Sequence, residues 1–269
     1  MPDESISSPD QHLKPPPRLH LLYHEVKPFP SKFSYALETI AFERHVGLIA
    51  QVGGQQKPKV SIELTFDDGH ASDFEFVLPI LNARRLTARF FITTGWTGTR
   101  PGYMGWREVR CLSDAGHRIG AHGRSHALLT GCSERELHAE LRESRTELEG
   151  KLGIPITTMS LPGGRHNKRV LSACREAGYT KVYSSAPRLE QNSTEFLVGR
   201  VNMNSNMTMD WIARLLHPES GELARLERQY RIKEMGQRVL GDRMYEKIWH
   251  VLIGRGQSDR VETSALNVK

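Results

Sequence analysis

The chain has 269 residues, enough for one large domain or two small ones, and 38% of them are hydrophobic and 25% charged. No apolar run approaches the ~18 to 20 residues that span a bilayer, and 37 basic against 31 acidic residues leave a net charge of only +6 with both signs interspersed. This excludes a membrane-spanning protein and gives no reason to expect an obligate nucleic-acid binder. Cys111, Cys132 and Cys174 are an odd, scattered set, which excludes a disulfide scaffold or a CxxC metal knot and fits a reducing compartment.

Residues 1–18 combine Ser, Asp and the Pro15-Pro16-Pro17 run with almost nothing apolar, so a disordered or extended arm is expected. The arm carries acids where a signal peptide carries bases, and a cytoplasmic location is the expectation. Apolar residues at period two then predict strands at 19–23, 59–66, 88–93, 117–121, 157–161, 180–184 and 196–201; Val60, Ile62, Leu64 and Phe66 give the clearest. Between them come helical patterns. Ser133 and Glu136 have capping-box spacing, Leu137, Leu141, Leu148 and Leu152 share a face, and Gly153 and Pro155 end the run. Asn167 and Thr208 open two further helices. Strands alternating with helices argue for a parallel α/β sheet with helices outside it, and about seven repeats favour a distorted seven-stranded barrel over residues 19–216. Residues 217–269 form a charged helical extension, with Leu240, Met244, Ile248 and Leu252 at four-residue spacing. It packs on the domain or offers a basic face to a membrane surface or partner.

In a parallel barrel the C-terminal strand ends share one rim. The predicted strands end in His24, in Asp67-Asp68-Gly69, in Thr93-Thr94, in His122 followed by His126, and in Pro162-Gly163-Gly164-Arg165. Oxygen and imidazole ligands without thiolates suit Zn²⁺ or a similar divalent metal, Co²⁺ and Ni²⁺ included. Gly69 lets the chain turn so that both aspartates lean over the rim, one to bind metal and one to take a proton. A dication keeps both ionised where two bare carboxylates would repel. Taken alone, Asp-Asp-Gly is also ordinary turn composition, and His122 with His126 is a spacing that recurs by chance. His70, His117, His138 and His166 are expected on the surface or in supporting positions.

Together, Leu64-Thr65-Phe66-Asp67-Asp68-Gly69 and Gly116 to His126 some fifty residues later resemble the polysaccharide deacetylase family, the carbohydrate esterases related to chitooligosaccharide deacetylases. The resemblance covers roughly residues 19–215 and includes Leu22-Tyr23-His24-Glu25-Val26, similar to the opening of the poly-N-acetylglucosamine deacetylase branch. It implies a distorted seven-stranded β/α barrel, a divalent metal on Asp68, His122 and His126, and Asp67 as general base. The third motif of that family carries an Arg and a Tyr that Ser160-Leu161-Pro162-Gly163-Gly164 lacks, although a backbone N–H at Gly163, flanked by Pro162 and Gly164, can serve as oxyanion donor without a side chain. The fourth motif has no match near Tyr183-Ser184-Ser185, and Val201-Asn202-Met203-Asn204 lacks the late general-acid histidine. His24, at the end of the first strand, is the candidate acid. The expected activity is metal-dependent removal of N-acetyl groups from an N-acetylhexosamine-containing glycan, with an O-acetyl esterase and a non-catalytic glycan binder as the alternatives. No GxSxG elbow offers a serine hydrolase. The expected partner is an acetylated glycan, with no nucleic acid and at most a peripheral membrane contact.

Overall fold

A computed structural model describes residues 15–56 and 58–240. In chain order the elements are β1 (Arg18–Tyr23), β2 (Glu25–Lys27), β3 (Ala36–Glu38), α1 (Thr39–Gly53), β4 (Ser61–Phe66), a π-turn (Asp73–Val77) running into α2 (Leu78–Ala83), β5 (Ala88–Ile92), α3 (Trp106–Asp114) and β6 (Arg118–Ala121). Then come α4 (Glu134–His138), joined through a π segment (Ala139–Glu143) to α5 (Ser144–Leu152), β7 (Thr158–Ser160), α6 (Lys168–Glu176), β8 (Lys181–Tyr183), β9 (Leu197–Val198), β10 (Val201–Asn202), α7 (Met209–Leu215) and α8 (Glu222–Leu240). The proposed arm up to residue 14 and the extension beyond residue 240, with Met244, Ile248 and Leu252, lie outside the described residues. No described helix is long and apolar enough to cross a membrane.

Eight strands form one parallel sheet in the order β10-β1-β4-β5-β6-β7-β8-β9, and β2 pairs with β3 in a separate two-stranded sheet. The expected count of seven is therefore corrected to eight. The run read as one strand, 196–201, is two short strands on opposite edges, with β9 bonded to β8 and β10 bonded to β1. Only Gly199 and Arg200 lie between them. A flat eight-stranded sheet would hold its edges about 33 Å apart at ~4.8 Å per strand, whereas the three residue steps from Val198 to Val201 reach only about 11 Å. The sheet must curl until its two edges are neighbours. A second correction concerns the connections, because residues 184–196 between β8 and β9 contain no helix.

Period-two alternation sorts the strand residues into two layers. Outward-facing Leu21, Tyr23, Leu64, Phe66, Phe90, Ile92, Ile119 and Met159 join buried residues of the helices, such as Phe42, Val46, Leu112, Leu148 and Val170, in one large core. The helix ends follow their caps. Ser133 Oγ accepts from the Glu136 N–H (3.3 Å) and the Glu136 carboxylate accepts from the Ser133 N–H (2.8 Å), while Asn167 and Thr208 cap α6 and α7 through Val170 and Trp211. Leu137, Leu141, Leu148 and Leu152 are buried as their shared face requires. Inward-facing Phe91, Tyr183 and Val198 make a small separate core inside the curl. A Cβ at Gly120 would come within 2.6 Å of both the Phe91 ring and Thr158 Oγ1, so the neighbouring strand must carry glycine there for Phe91 to fit. Below this plug lie His20, Glu63, Arg89 and Lys181, and above it Asp67, His122 and Arg200.

Candidate metal centre and active site

The inward positions of β4 are Glu63, Thr65 and Asp67, so the strand pattern itself delivers Asp67 to the rim. It is buried, and its carboxylate is held on both oxygens. Arg200 Nη1 donates to Oδ1 (2.7 Å), and Arg200 Nη2 and Ser160 Oγ donate to Oδ2 (2.8 and 2.9 Å). Burial works against the charge of Asp67, but the Arg200 guanidinium outweighs it and holds the carboxyl below its ordinary range. Arg200 is fully buried, lies in the two-residue link between the sheet edges, and also donates to the Ser184 carbonyl (3.1 Å) and Ser160 Oγ (2.7 Å).

After Asp67 the chain turns sharply. Asp68 has φ +78° and His126 φ +63°, two of the three non-glycine residues with left-handed backbone among the described residues. One donor atom from each of Asp68, His122 and His126 lies within 4.8 Å of the others. Both His122 Nε2 and His126 Nε2 stand 3.3 Å from Asp68 Oδ1, yet Oδ1 is a buried atom without a hydrogen-bond partner. Three potential ligands that converge without bonding one another suit a shared cation, and the donor set of one carboxylate and two imidazoles fits Zn²⁺ or a similar ion. His70 Nε2 is 3.5 Å from the other oxygen, Oδ2.

His122 is fixed by a hydrogen bond from Nδ1 to the Ser160 carbonyl (2.9 Å), which leaves Nε2 as the free lone pair in the neutral tautomer. Burial disfavours protonation of His122, but Asp67 and Asp68 prevail and raise its pKa; a dication at Asp68 would take the place of that proton. His126, lowered to about 4 by burial and by His122, is a neutral imidazole at pH 7. The loop between the two histidines is tied from below by Glu140, on the π segment. Its carboxylate accepts from the backbone N–H groups of Arg124 (2.7 Å) and Ser125 (3.0 Å) and from Ser125 Oγ (2.6 Å).

His24, just past the end of β1 and next inward after Leu22, is half-buried, with its ring 5.3 Å from that of Tyr35 at a tilt of 52° and Nδ1 buried and unpartnered. Burial lowers its pKa, while Asp68 and Asp67 pull it up, so the ring shares their field. Pro162, Gly163 and Gly164 form a tight turn after β7, with the Gly164 N–H bonded to Leu161 O (2.8 Å). His117, expected on the surface or in support of the site, is instead buried at the far end of the sheet, where Nδ1 accepts from the Ala88 N–H. Sequence reasoning missed Arg200 and Glu140, whereas His70 stands in one of the supporting positions expected for it. The signal for Arg200 is an arginine at the inward register of a strand, between Val198 and Asn202.

The rim thus sets a candidate cation site beside a buried, tethered carboxylate at one end of a curled, parallel α/β sheet. Residues 54–182 match the family model described as polysaccharide deacetylase. The chain is 31% identical over 149 residues to the peptidoglycan-N-acetylglucosamine deacetylase PgdA of Listeria monocytogenes, covering 53% of this chain and 31% of that protein. It spans about half the length or less of the curated relatives it matches. In fold it is similar to the Streptococcus pyogenes deacetylase PplD solved with acetate (TM-score 0.65, 17% identity, 72% of this chain and 95% of the other). It is also similar to IcaB from Ammonifex degensii (TM-score 0.63, 21% identity, 77% and 98%). His24 and Arg200 both lie outside the segment that matches the family profile.

Proposed function

We propose that the chain is a metal-dependent hydrolase that removes N-acetyl groups from N-acetylhexosamine units of a glycan. The observation that carries this reading is the convergence of Asp68, His122 and His126 around a buried carboxylate oxygen with no partner, beside the tethered Asp67. The three ligands would hold a divalent metal, Zn²⁺ first, which when bound supplies an activated water and polarises the acetyl carbonyl. Asp67 accepts the proton of the attacking water; Arg200 and Ser160 keep it ionised and aimed, at some cost in basicity. The Gly163 amide, in the turn held by Pro162 and Gly164, is the proposed donor to the developing oxyanion. An amide nitrogen leaves poorly as an anion, so a proton must reach it, and His24 is the proposed carrier. Burial makes its protonated form a stronger acid than an exposed imidazolium. The family match over residues 54–182 supports the reaction class.

The test is release of free amine from a panel of N-acetylglucosamine oligomers by purified protein loaded with Zn²⁺ or Co²⁺, beside an acetylated xylan. Amine release that disappears on chelation, returns with metal and is lost in His122→Ala is the expected result. Acetate released only from the xylan would replace the N-acetyl reading with O-acetyl esterase activity. Undiminished turnover by protein proved metal-free would remove the metal from the reaction.

A further inference from the structure

Residues 93–105, the loop between β5 and α3, touch both halves of the candidate metal centre. The backbone of this loop is bonded to the Asp68 turn, with the Thr93 N–H donating to Asp68 O (3.4 Å), the Met104 N–H to Gly69 O (2.9 Å) and the Ala71 N–H to Gly102 O (2.9 Å). It is bonded as well to the segment between the two histidines, through the Thr94 N–H to Gly123 O (3.2 Å) and the Gly95 N–H to Arg124 O (2.8 Å). The approach at Gly95 is so close that a Cβ would run into the Arg124 carbonyl oxygen.

Its side chains repeat the pattern. The Trp96 ring stacks on His126 (5.1 Å between centroids, 29°) and the Tyr103 ring on His70 (4.7 Å, 25°). Trp96 and Tyr103 touch each other at 4.7 Å, and the Arg100 guanidinium lies over both, 4.4 and 5.0 Å from the ring centres. One loop thus places an aromatic ring on two of the three imidazoles that approach Asp68, His126 at Oδ1 and His70 at Oδ2. A tryptophan near a glycan site suggests a sugar-stacking platform, but Trp96 already carries an imidazole and a guanidinium.

The two ligand histidines are oriented by different means. His122 donates its second ring nitrogen to a carbonyl, the usual device for a metal-bound imidazole. His126 has no such hydrogen bond among the described residues, and its backbone sits in the left-handed region at φ +63°. What packs flat against its ring is Trp96. We propose that Trp96 is the positioning residue of His126, substituting a stack for the absent hydrogen bond and thereby setting the metal affinity of the Asp68–His122–His126 site. The proposal rests on the metal reading of those three residues and adds to it the residue that tunes them.

The experiment is a titration of Zn²⁺ and Co²⁺ into chelator-stripped full-length protein, followed by calorimetry and by the visible Co²⁺ spectrum, for the wild type and for Trp96→Ala, Trp96→Phe and Trp96→Leu. Loss of an orienting partner typically weakens metal binding by about 10- to 100-fold. Trp96→Ala and Trp96→Leu should show that loss and an altered Co²⁺ spectrum, while Trp96→Phe, which restores a flat ring, keeps most of the affinity. Circular dichroism identifies any variant that fails to fold; if Trp96→Ala is one, the Phe and Leu variants decide. Equal affinity in Phe and Leu variants, or wild-type affinity in Trp96→Ala, overturns the positioning role. A wild-type chain that binds neither metal would defeat the metal reading itself, a result distinct from the other two.

Discussion

The two ends of the barrel interior carry similar chemistry to opposite purpose. At the N-terminal end of the strands, His20 sits between Glu63 (2.8 Å) and Glu190 (2.7 Å). Glu63 is also met by Arg89 (3.1 Å), Arg118 (3.2 Å) and the Tyr183 hydroxyl (3.2 Å), and Glu190 by Lys181. Every carboxylate oxygen there has a partner, and the buried atoms without a hydrogen bond in this cluster, His20 Nδ1 and Arg89 Nε, both belong to its basic side chains. At the C-terminal end, Asp67 has Arg200, but Asp68 Oδ1, both oxygens of Asp73, Thr93 Oγ1, Thr94 Oγ1, His24 Nδ1 and Asn202 Oδ1 are buried without partners. A buried charge must be paired to be tolerated. The matched cluster is therefore a structural element, and the end left short of cations is the one to which the proposed metal and substrate are assigned.

The largest effect that sharpens this contrast lies at Asp67. Asp67→Asn keeps the shape and one oxygen that can accept from Arg200 Nη2 and Ser160, although its amide NH2 then faces Arg200 Nη1; it cannot take a proton, so kcat should fall by about 10² to 10⁴, the usual yield of general acid-base help. Bound metal, measured by elemental analysis, should persist. Metal lost from Asp67→Asn but retained in Asp68→Asn would exchange the two roles.

At the opposite end the expected effect is on stability. Removing one partner from a buried ion cluster costs about 3 to 5 kcal/mol, so Glu63→Ala should lower the urea midpoint sharply while the folded fraction keeps its turnover. The same cluster sets acid sensitivity. Burial works against the charge of Glu190, but hydrogen bonds from His20 and Lys181 prevail and lower its pKa to about 2, against roughly 4.3 in an unfolded chain. A depressed folded-state pKa stabilises fully above the unfolded value and less as pH falls toward the folded one. Wild-type stability should therefore decline between about pH 4.5 and 2, and Glu190→Gln, weaker at neutral pH, should show a shallower decline. Identical pH profiles for the two proteins would remove Glu190 from the account.

Much of this was legible in the residues because local rules and tertiary demands agree. Val60, Ile62, Leu64 and Phe66 alternate because β4 faces a core on one side, and Ser133, Asn167 and Thr208 announced helices because capping is local. Asp68, His122 and His126 were marked by a resemblance to motifs of fixed spacing. What could not be read depends on closure of the sheet. Phe196 to Val201 looks like one strand, and only the curl divides it and aims Arg200 at a carboxylate 133 positions earlier in the chain. Ser160 to Gly164 carries no arginine, and the arginine that reaches Asp67 comes from the link between β9 and β10. Glu140 escaped for a related reason, since a π segment shifts the helical register that brings it under the histidine loop. β2 and β3 are three residues each, too short for a period to appear.

The smallest predicted effect concerns Asp73, the acid at the unmatched end that no proposed step uses. It is fully buried on the π-turn after the Asp68 loop. Burial, with Asp68, Asp67 and Glu25 nearby, pushes its pKa well above the ordinary carboxylate value. A raised folded-state pKa means that the folded chain retains a proton the unfolded chain has already released. Its contribution to stability is therefore intact below about pH 3.9 and is lost progressively as pH rises toward the folded value. Asp73→Asn has nearly the same shape and no proton to retain, so the variant should match the wild type near pH 3.5 and melt higher at pH 7. The expected rise is roughly 2 to 4 °C, the shift that one kcal/mol produces in a chain of 150 to 250 residues. Both proteins should be melted in chelator, since a cation at Asp68 would relieve part of the repulsion and shrink the difference. If Asp73→Asn instead melts lower at pH 7 and also loses amine release when metal is restored, Asp73 is a working acid of the site, and the unmatched end has one more functional group than the steps derived above employ.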